Sequence, residues 1–148
     1  LDGGTCTIGI ESTIVNLTGR PTILRLGGLD ILKIQKTLGF KMNISTNPKK
    51  KIAPGQSRLH YSPGIPLRMN VTKPKNDEAF IIIKRKKTKL KNYFYLTSKN
   101  NLDEAAKNLY SCLRKIKNEG YKSIAVEKIP NIGLGKAIND RLRRASKY

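Results

Sequence analysis

Two cysteines, one histidine and ten acidic residues are all that the 148 residues hold of these types. Cys6 and Cys112 lie far apart and no export signal accompanies them, which excludes a disulfide framework and points to two free thiols in a reducing cytosol. No Cys or His spacing suggests a metal site. Pairing Cys6 with the lone His60 as nucleophile and base leaves no third group to orient the base. The longest uncharged apolar run, Ala79–Ile83, is far too short to span a bilayer. No apolar stretch follows a basic start, so no secretory signal is present. A cytoplasmic protein without membrane association is therefore expected. The first residue is Leu1 rather than methionine, and strand-like sequence starts within ten residues of it, as in the interior of a domain.

Basic residues are abundant, and the net charge is +20. Residues 1–47 carry five basic and three acidic side chains, and residues 48–148 carry 25 and seven. Such a surface attracts polyanions. The lysines are spread over every element rather than gathered with aromatics, which is the pattern of solvated faces. Both readings stand on composition alone.

Period and punctuation divide the chain into three parts. Thr5–Leu17 is rich in β-branched residues and reads as a strand. Thr18–Pro21 is turn chemistry, Thr22–Leu26 a second strand, and the two make a hairpin. Leu29–Leu38 reads as a short helix, with Leu29, Leu32, Ile34 and Leu38 apolar and Gly39 as its stop. Residues 40–66 have no sustained period, and Pro48, Lys49, Lys50, Lys51, Pro54, Gly55, Pro63, Gly64 and Pro66 punctuate an extended linker. Beyond it, Leu67–Val71, Glu78–Lys84, Asn92–Thr97 and Ser123–Ile129 read as strands, and Leu102–Glu119 and Leu134–Ser146 as helices. Leu102, Ala105, Ala106, Leu109, Cys112, Leu113 and Ile116 form one helical face. Asn101 and Glu104 stand at capping-box spacing, and Gly120 ends that helix. Ile81–Ile83 and Ile124–Val126 are the central-strand candidates of a small α/β layer.

Four segments could carry chemistry. Ser12 and Thr13 after Glu11 could hold a small polar ligand, or could alternate faces of an ordinary strand. Arg25 before Gly27-Gly28 could make a bidentate contact to phosphate, or could be a surface arginine at a strand end. Lys84–Lys91, six basic residues in eight, could meet a phosphate backbone or form a solvated loop. Gly133-Leu134-Gly135 opens like a dinucleotide fingerprint but has Ile138 where a third glycine belongs, so a tight strand-to-helix turn accounts for it better.

Taken in order, these segments resemble one family, the threonylcarbamoyl-AMP synthases in their long form, with a YrdC-like catalytic domain, a linker and a second α/β domain. The resemblance rests on Gly9–Val15, Ile23–Gly28, the linker signature Ala53–Pro63, Ile124–Pro130, Gly133–Gly135 and Ala137–Leu142. It runs the length of the chain. It implies formation of threonylcarbamoyl-adenylate from L-threonine, bicarbonate and ATP, with Mg2+ and release of pyrophosphate, for threonylcarbamoyladenosine synthesis on tRNA. It implies that Ser12 contacts threonine and that Arg25 and Tyr61 contact the nucleotide. The fold implied is a partial YrdC-like α/β sheet, a linker, then a small Rossmann-like α/β domain. The corresponding domains are 1–47, 48–66 and 67–148. The family usually has proline where this chain has Leu26, and the family's N-terminal Lys/Arg motif, threonine histidine and Ser/Asn-rich loop have no counterpart here. The expectation is a C-terminal portion inactive alone, with room for a separate chain as its N-terminal half. The rival class is a basic RNA-binding module without catalysis.

Overall fold

The computed structural model describes residues 4, 6–46, 48, 51–56, 61–87 and 90–146. Thr5, Lys49, Lys50, the linker residues Ser57–His60 and the basic-loop residues Thr88 and Lys89 lie outside them. The described elements are β1 (Ile14–Asn16), β2 (Thr22–Arg25), α1 (Ile31–Leu38), β3 (Asn43–Ile44), β4 (Leu67–Arg68), β5 (Glu78–Lys84), β6 (Tyr93–Thr97), α2 (Leu102–Asn118), β7 (Ser123–Val126) and α3 (Gly135–Ala145). They make a mixed α/β fold with a three-stranded sheet, β1-β2-β3, and a four-stranded sheet, β4-β7-β5-β6.

The expected hairpin forms. β1 pairs antiparallel with β2, and Asn16 closes the turn by accepting from the Thr18 backbone N–H at 2.9 Å. The long first strand does not form, since only Ile14–Asn16 are strand. Of the β-branched residues before it, Ile10 serves packing instead. Ile10 is buried in the core of the second unit. Gly9, at φ 71°, lies so close to α2 that a Cβ there would stand 2.5 Å from the Lys107 Cα. Tertiary contact has overridden local propensity.

α1 starts at Ile31 because Asp30 caps it, accepting from the Leu32 N–H at 3.0 Å, and Gly39 ends it at φ 76°. Its expected apolar face is largely turned outward. Ile31 is buried and Ile34 packs partly, while Leu29, Leu32 and Leu38 are exposed. A short parallel strand, β3, also appears inside the segment read as linker.

In the second unit every pairing is parallel, with β7 and β5 central as expected. α2 and α3 both cover the face formed by Ala79, Ile81, Ile83, Phe94, Leu96, Ile124 and Val126. The opposite face, Phe80, Ile82 and Ala125, is packed only by Val71 and Tyr93 among the described residues. Asn101 caps α2, accepting from Asp103 and Glu104 N–H at 2.7 and 3.2 Å. The reciprocal half of the capping box does not form, because Glu104 accepts from the Ser98 backbone and hydroxyl and Thr97 Oγ1 takes the Asn101 N–H. Gly135 touches the preceding loop: a Cβ there would stand 1.9 Å from the Pro130 carbonyl oxygen. The glycine motif is thus a tight turn, as read.

Twenty buried apolar residues form the main core, while Ile23, Ile31 and Met42 alone form the core beneath the small sheet. Amides of β1–β3 should therefore exchange with solvent at lower opening free energy than those of Ile81–Ile83 and Ile124–Val126. Native-state hydrogen exchange measures this, and uniform protection would contradict it.

Candidate functional site

The segment after Ile10 is extended and runs against the end of β2. Gly27 makes this possible, since any Cβ there would stand 2.2 Å from the Ser12 and Thr13 backbone. The Gly28 N–H donates to the Glu11 carbonyl at 2.9 Å. Side by side, Arg25 and Ser12 form a unit. Arg25 Nε donates to the Ser12 carbonyl at 3.0 Å and Nη2 to Ser12 Oγ at 3.1 Å. Arg25 Nη1 reaches the Pro54 carbonyl at 3.4 Å. Three N–H directions are so engaged, and the rest of the planar fork is left for a ligand.

The linker comes to this unit. Gln56 is buried and pins it, accepting from Ile52 and Ala53 N–H at 2.9 and 3.1 Å and donating to the Leu24 carbonyl at 3.1 Å. Gly55, at φ 82°, leaves space where a Cβ would stand 2.7 Å from the Tyr61 hydroxyl and 3.2 Å from Arg25 Cδ. Ser12, Arg25 and Tyr61 therefore converge. Thr13 turns away and donates to the Leu29 carbonyl at 2.7 Å. Cys6 is exposed, and His60 lies outside the described residues.

Tyr61 is held hard. Its backbone is left-handed, at φ 72°, a conformation that non-glycine residues adopt at a cost and that clusters at ligand sites. Its ring stacks on Tyr110 of α2 at 5.6 Å, and the Arg141 guanidinium of α3 lies 5.1 Å from its centroid. Arg141 is 1 % exposed and grips Glu11 through Nε and Nη2 at 3.0 and 2.8 Å. Tyr110 donates to the same carboxylate at 3.2 Å. Asp140 braces Arg141 at 3.1 Å and Arg144 Nε at 3.1 Å, and Arg144 Nη2 donates to the Thr46 carbonyl. Leu26 packs against both main cores, which suits leucine at a position where the resemblance expects proline.

Electrostatics follow from this packing. Burial works to raise the Glu11 pKa, but the Arg141 hydrogen bonds and charge overcome it and hold the carboxyl below its ordinary 4.5. Burial raises the Tyr61 phenol, with Arg141 opposing and Glu11 adding. Burial and then the Glu11 charge push Tyr110 well up. Glu11, Tyr110 and Arg141 carry no role in the sequence reading, although Glu11 and Arg141 lie inside segments that carry the resemblance. Five charged residues, Lys136, Asp140, Arg141, Arg143 and Arg144, in a helix that also carries Ile138, Leu142 and Ala145 were the available signal.

Fold and site together describe two α/β units sharing one polar seam, with a strapped tyrosine over an arginine and a serine. Residues 29–147 match the sequence profile of the family described as threonylcarbamoyl-AMP synthase, C-terminal domain, and the chain belongs to that family. It is 32 % identical over 171 residues to the threonylcarbamoyl-AMP synthase of Pyrococcus abyssi, covering 100 % of this chain and 49 % of the relative. Against the Bacillus subtilis threonylcarbamoyl-AMP synthase the figures are 28 % over 165 residues, 99 % and 48 %. The crystal structure of P. abyssi Sua5 complexed with L-threonine superposes with a TM-score of 0.81 at 30 % identity, covering 98 % of this chain and 48 % of that one. A P. abyssi Sua5 variant with alanines replacing an adjacent histidine and tyrosine gives 0.79 at 28 %, with 98 % and 47 % covered. The chain thus spans about half the length of these relatives.

Two expectations test the seam. Arg141→Ala leaves Glu11 and Asp140 without their shared cation and should lower unfolding free energy by about 2–4 kcal/mol, less than for a wholly buried pair because Glu11 is partly exposed. Urea titration measures it, and a loss near zero would remove Arg141 as the clamp. Glu11, depressed on folding, contributes stability that is full above pH 4.5 and is lost as pH falls from there through the folded value. Glu11→Gln should flatten that acid branch. An unchanged branch would mean that the carboxylate is not ion-paired in solution.

Proposed function

We propose that this chain acts in threonylcarbamoyl-AMP synthesis, joining L-threonine, bicarbonate and ATP for tRNA threonylcarbamoyladenosine formation. The observation that carries the reading is the convergence of Ser12, Arg25 and Tyr61 in a chain of this family. In it, residues 1–47 belong to the catalytic domain, 48–66 are its lid and 67–148 the second domain. Arg25 offers its free N–H groups to the nucleotide phosphates and Ser12 orients threonine. Tyr61 closes over the nucleotide. A carbamate and a mixed anhydride both hydrolyse, so the protein's contribution is orientation, charge neutralisation and exclusion of water.

Support comes from the relatives. P. abyssi Sua5 is complexed with L-threonine, and its variant alters a histidine–tyrosine pair. In this chain the single histidine, His60, precedes Tyr61. The described residues hold no group of three His, Cys, Asp or Glu side chains that could bind a metal ion. No helix among them is long and apolar enough to cross a membrane.

The remaining wall of the pocket comes from the part of the relatives that this chain does not span. Eight of the eleven exposed large apolar side chains among the described residues support this, since Ile8, Leu17, Leu29, Leu32, Leu38, Phe40, Ile44 and Ile52 all lie within the first 52 residues. Such a concentration marks a surface made for a partner.

Alone, the chain should yield no threonylcarbamoyl-adenylate from threonine, bicarbonate, ATP and Mg2+ by mass spectrometry, and detection would overturn the inactivity. Millimolar ATP should still raise its thermal midpoint by a few degrees, and Arg25→Ala should abolish the rise. No rise, or an equal rise in the variant, would remove Arg25 from the nucleotide site.

A further inference from the structure

Lysines are scattered along the sequence, yet at one place the fold gathers basic and aromatic side chains. Where β5 ends, Arg85, Lys86 and Lys87 are exposed beside Tyr93 and Tyr95 of β6. With Leu90 they line a groove of about 460 Å³ floored by Ile82. The groove lies on the sheet face that no helix among the described residues covers. The Arg85 guanidinium sits 5.1 Å from the Tyr95 centroid, and the Arg85 N–H is held by the Thr97 carbonyl at 3.1 Å. Lys86 Nζ lies 3.6 Å from Glu127, which offsets one of the three charges and leaves the cluster basic.

The groove runs beside the C-terminal end of β5 and along the edge strand β6. Tyr95 is 45 % exposed on the edge strand, with the Arg85 guanidinium over its ring.

We propose that this groove binds single-stranded nucleic acid, with a base stacked on Tyr95 and adjacent phosphates on Arg85, Lys86 and Lys87. Stacking on a side chain requires an unpaired base, and one nucleotide fits the groove. Base pairing would withdraw the bases from the tyrosines and leave only the charge. The site is separate from the seam around Arg25 and does not depend on its function.

The test is fluorescence anisotropy of a labelled 12-nucleotide RNA, as single strand and as duplex, titrated with the 148-residue chain across a salt series. The single strand should bind more tightly than the duplex. Tyr95→Ala should weaken single-strand binding about 5- to 100-fold with an unchanged salt slope. Lys86→Ala/Lys87→Ala should flatten the slope by about 1.4, the loss of two phosphate contacts on a single strand. Lys33→Ala/Lys36→Ala, which removes equal charge from α1, should change binding less than about twofold. Duplex binding equal to single-strand binding would overturn the proposal. So would indifference to Tyr95→Ala, or an α1 pair as damaging as Lys86/Lys87. Circular dichroism confirms that each variant is folded, and these are surface side chains, so each comparison is readable.

Discussion

One ion pair organises this molecule: Arg141 from the last helix holding Glu11 from the first extended segment. Arg141 is among the most buried side chains, and an unpaired guanidinium there would be untenable. Its partners therefore settle where two units meet. Glu11 fixes the backbone at Ser12, Ser12 fixes Arg25, and the other face of Arg141 supports the Tyr61 ring. Each candidate ligand group is thus at most two contacts from one buried cation. Asp140 and Tyr110 complete the arrangement by bracing Arg141 and sharing Glu11.

Steric closeness does the rest. Gly27 against Ser12, Gly55 against Tyr61 and Gly9 against α2 are three approaches that no side chain would allow. Apolar burial supplies the general attraction between the units, chiefly through Ile10 and Leu26. The glycines and the ion pair decide the register in which that attraction is satisfied.

Local sequence revealed those parts whose environment is itself local. The Ala79–Ile83 run reads as a central strand because both its faces are buried, and α2 reads from its 3.6-residue stripe. Gly39 and Gly120 read as helix stops because a left-handed residue is needed there. Ile10 misled, because a β-branched residue packed beneath a helix looks the same in sequence as one in a strand. Leu29, Leu32 and Leu38 misled too, since an apolar face says that something covers it without saying what. Ser12 and Arg25 stood out locally only as one of two readings each, and Tyr61 was nameable only through resemblance. Arg141 with Glu11, and Tyr110 with Tyr61, leave no local pattern at all. A contact between residues 130 apart has no spacing to recognise.

That same separation orders events during biosynthesis. The ribosome delivers Glu11 130 residues before Arg141. Until α3 emerges, Glu11 has no arginine and the Tyr61 ring lacks one of its two supports. The hairpin of β1 and β2 can close before then, but its fixed position against the second unit is acquired only once α3 has emerged.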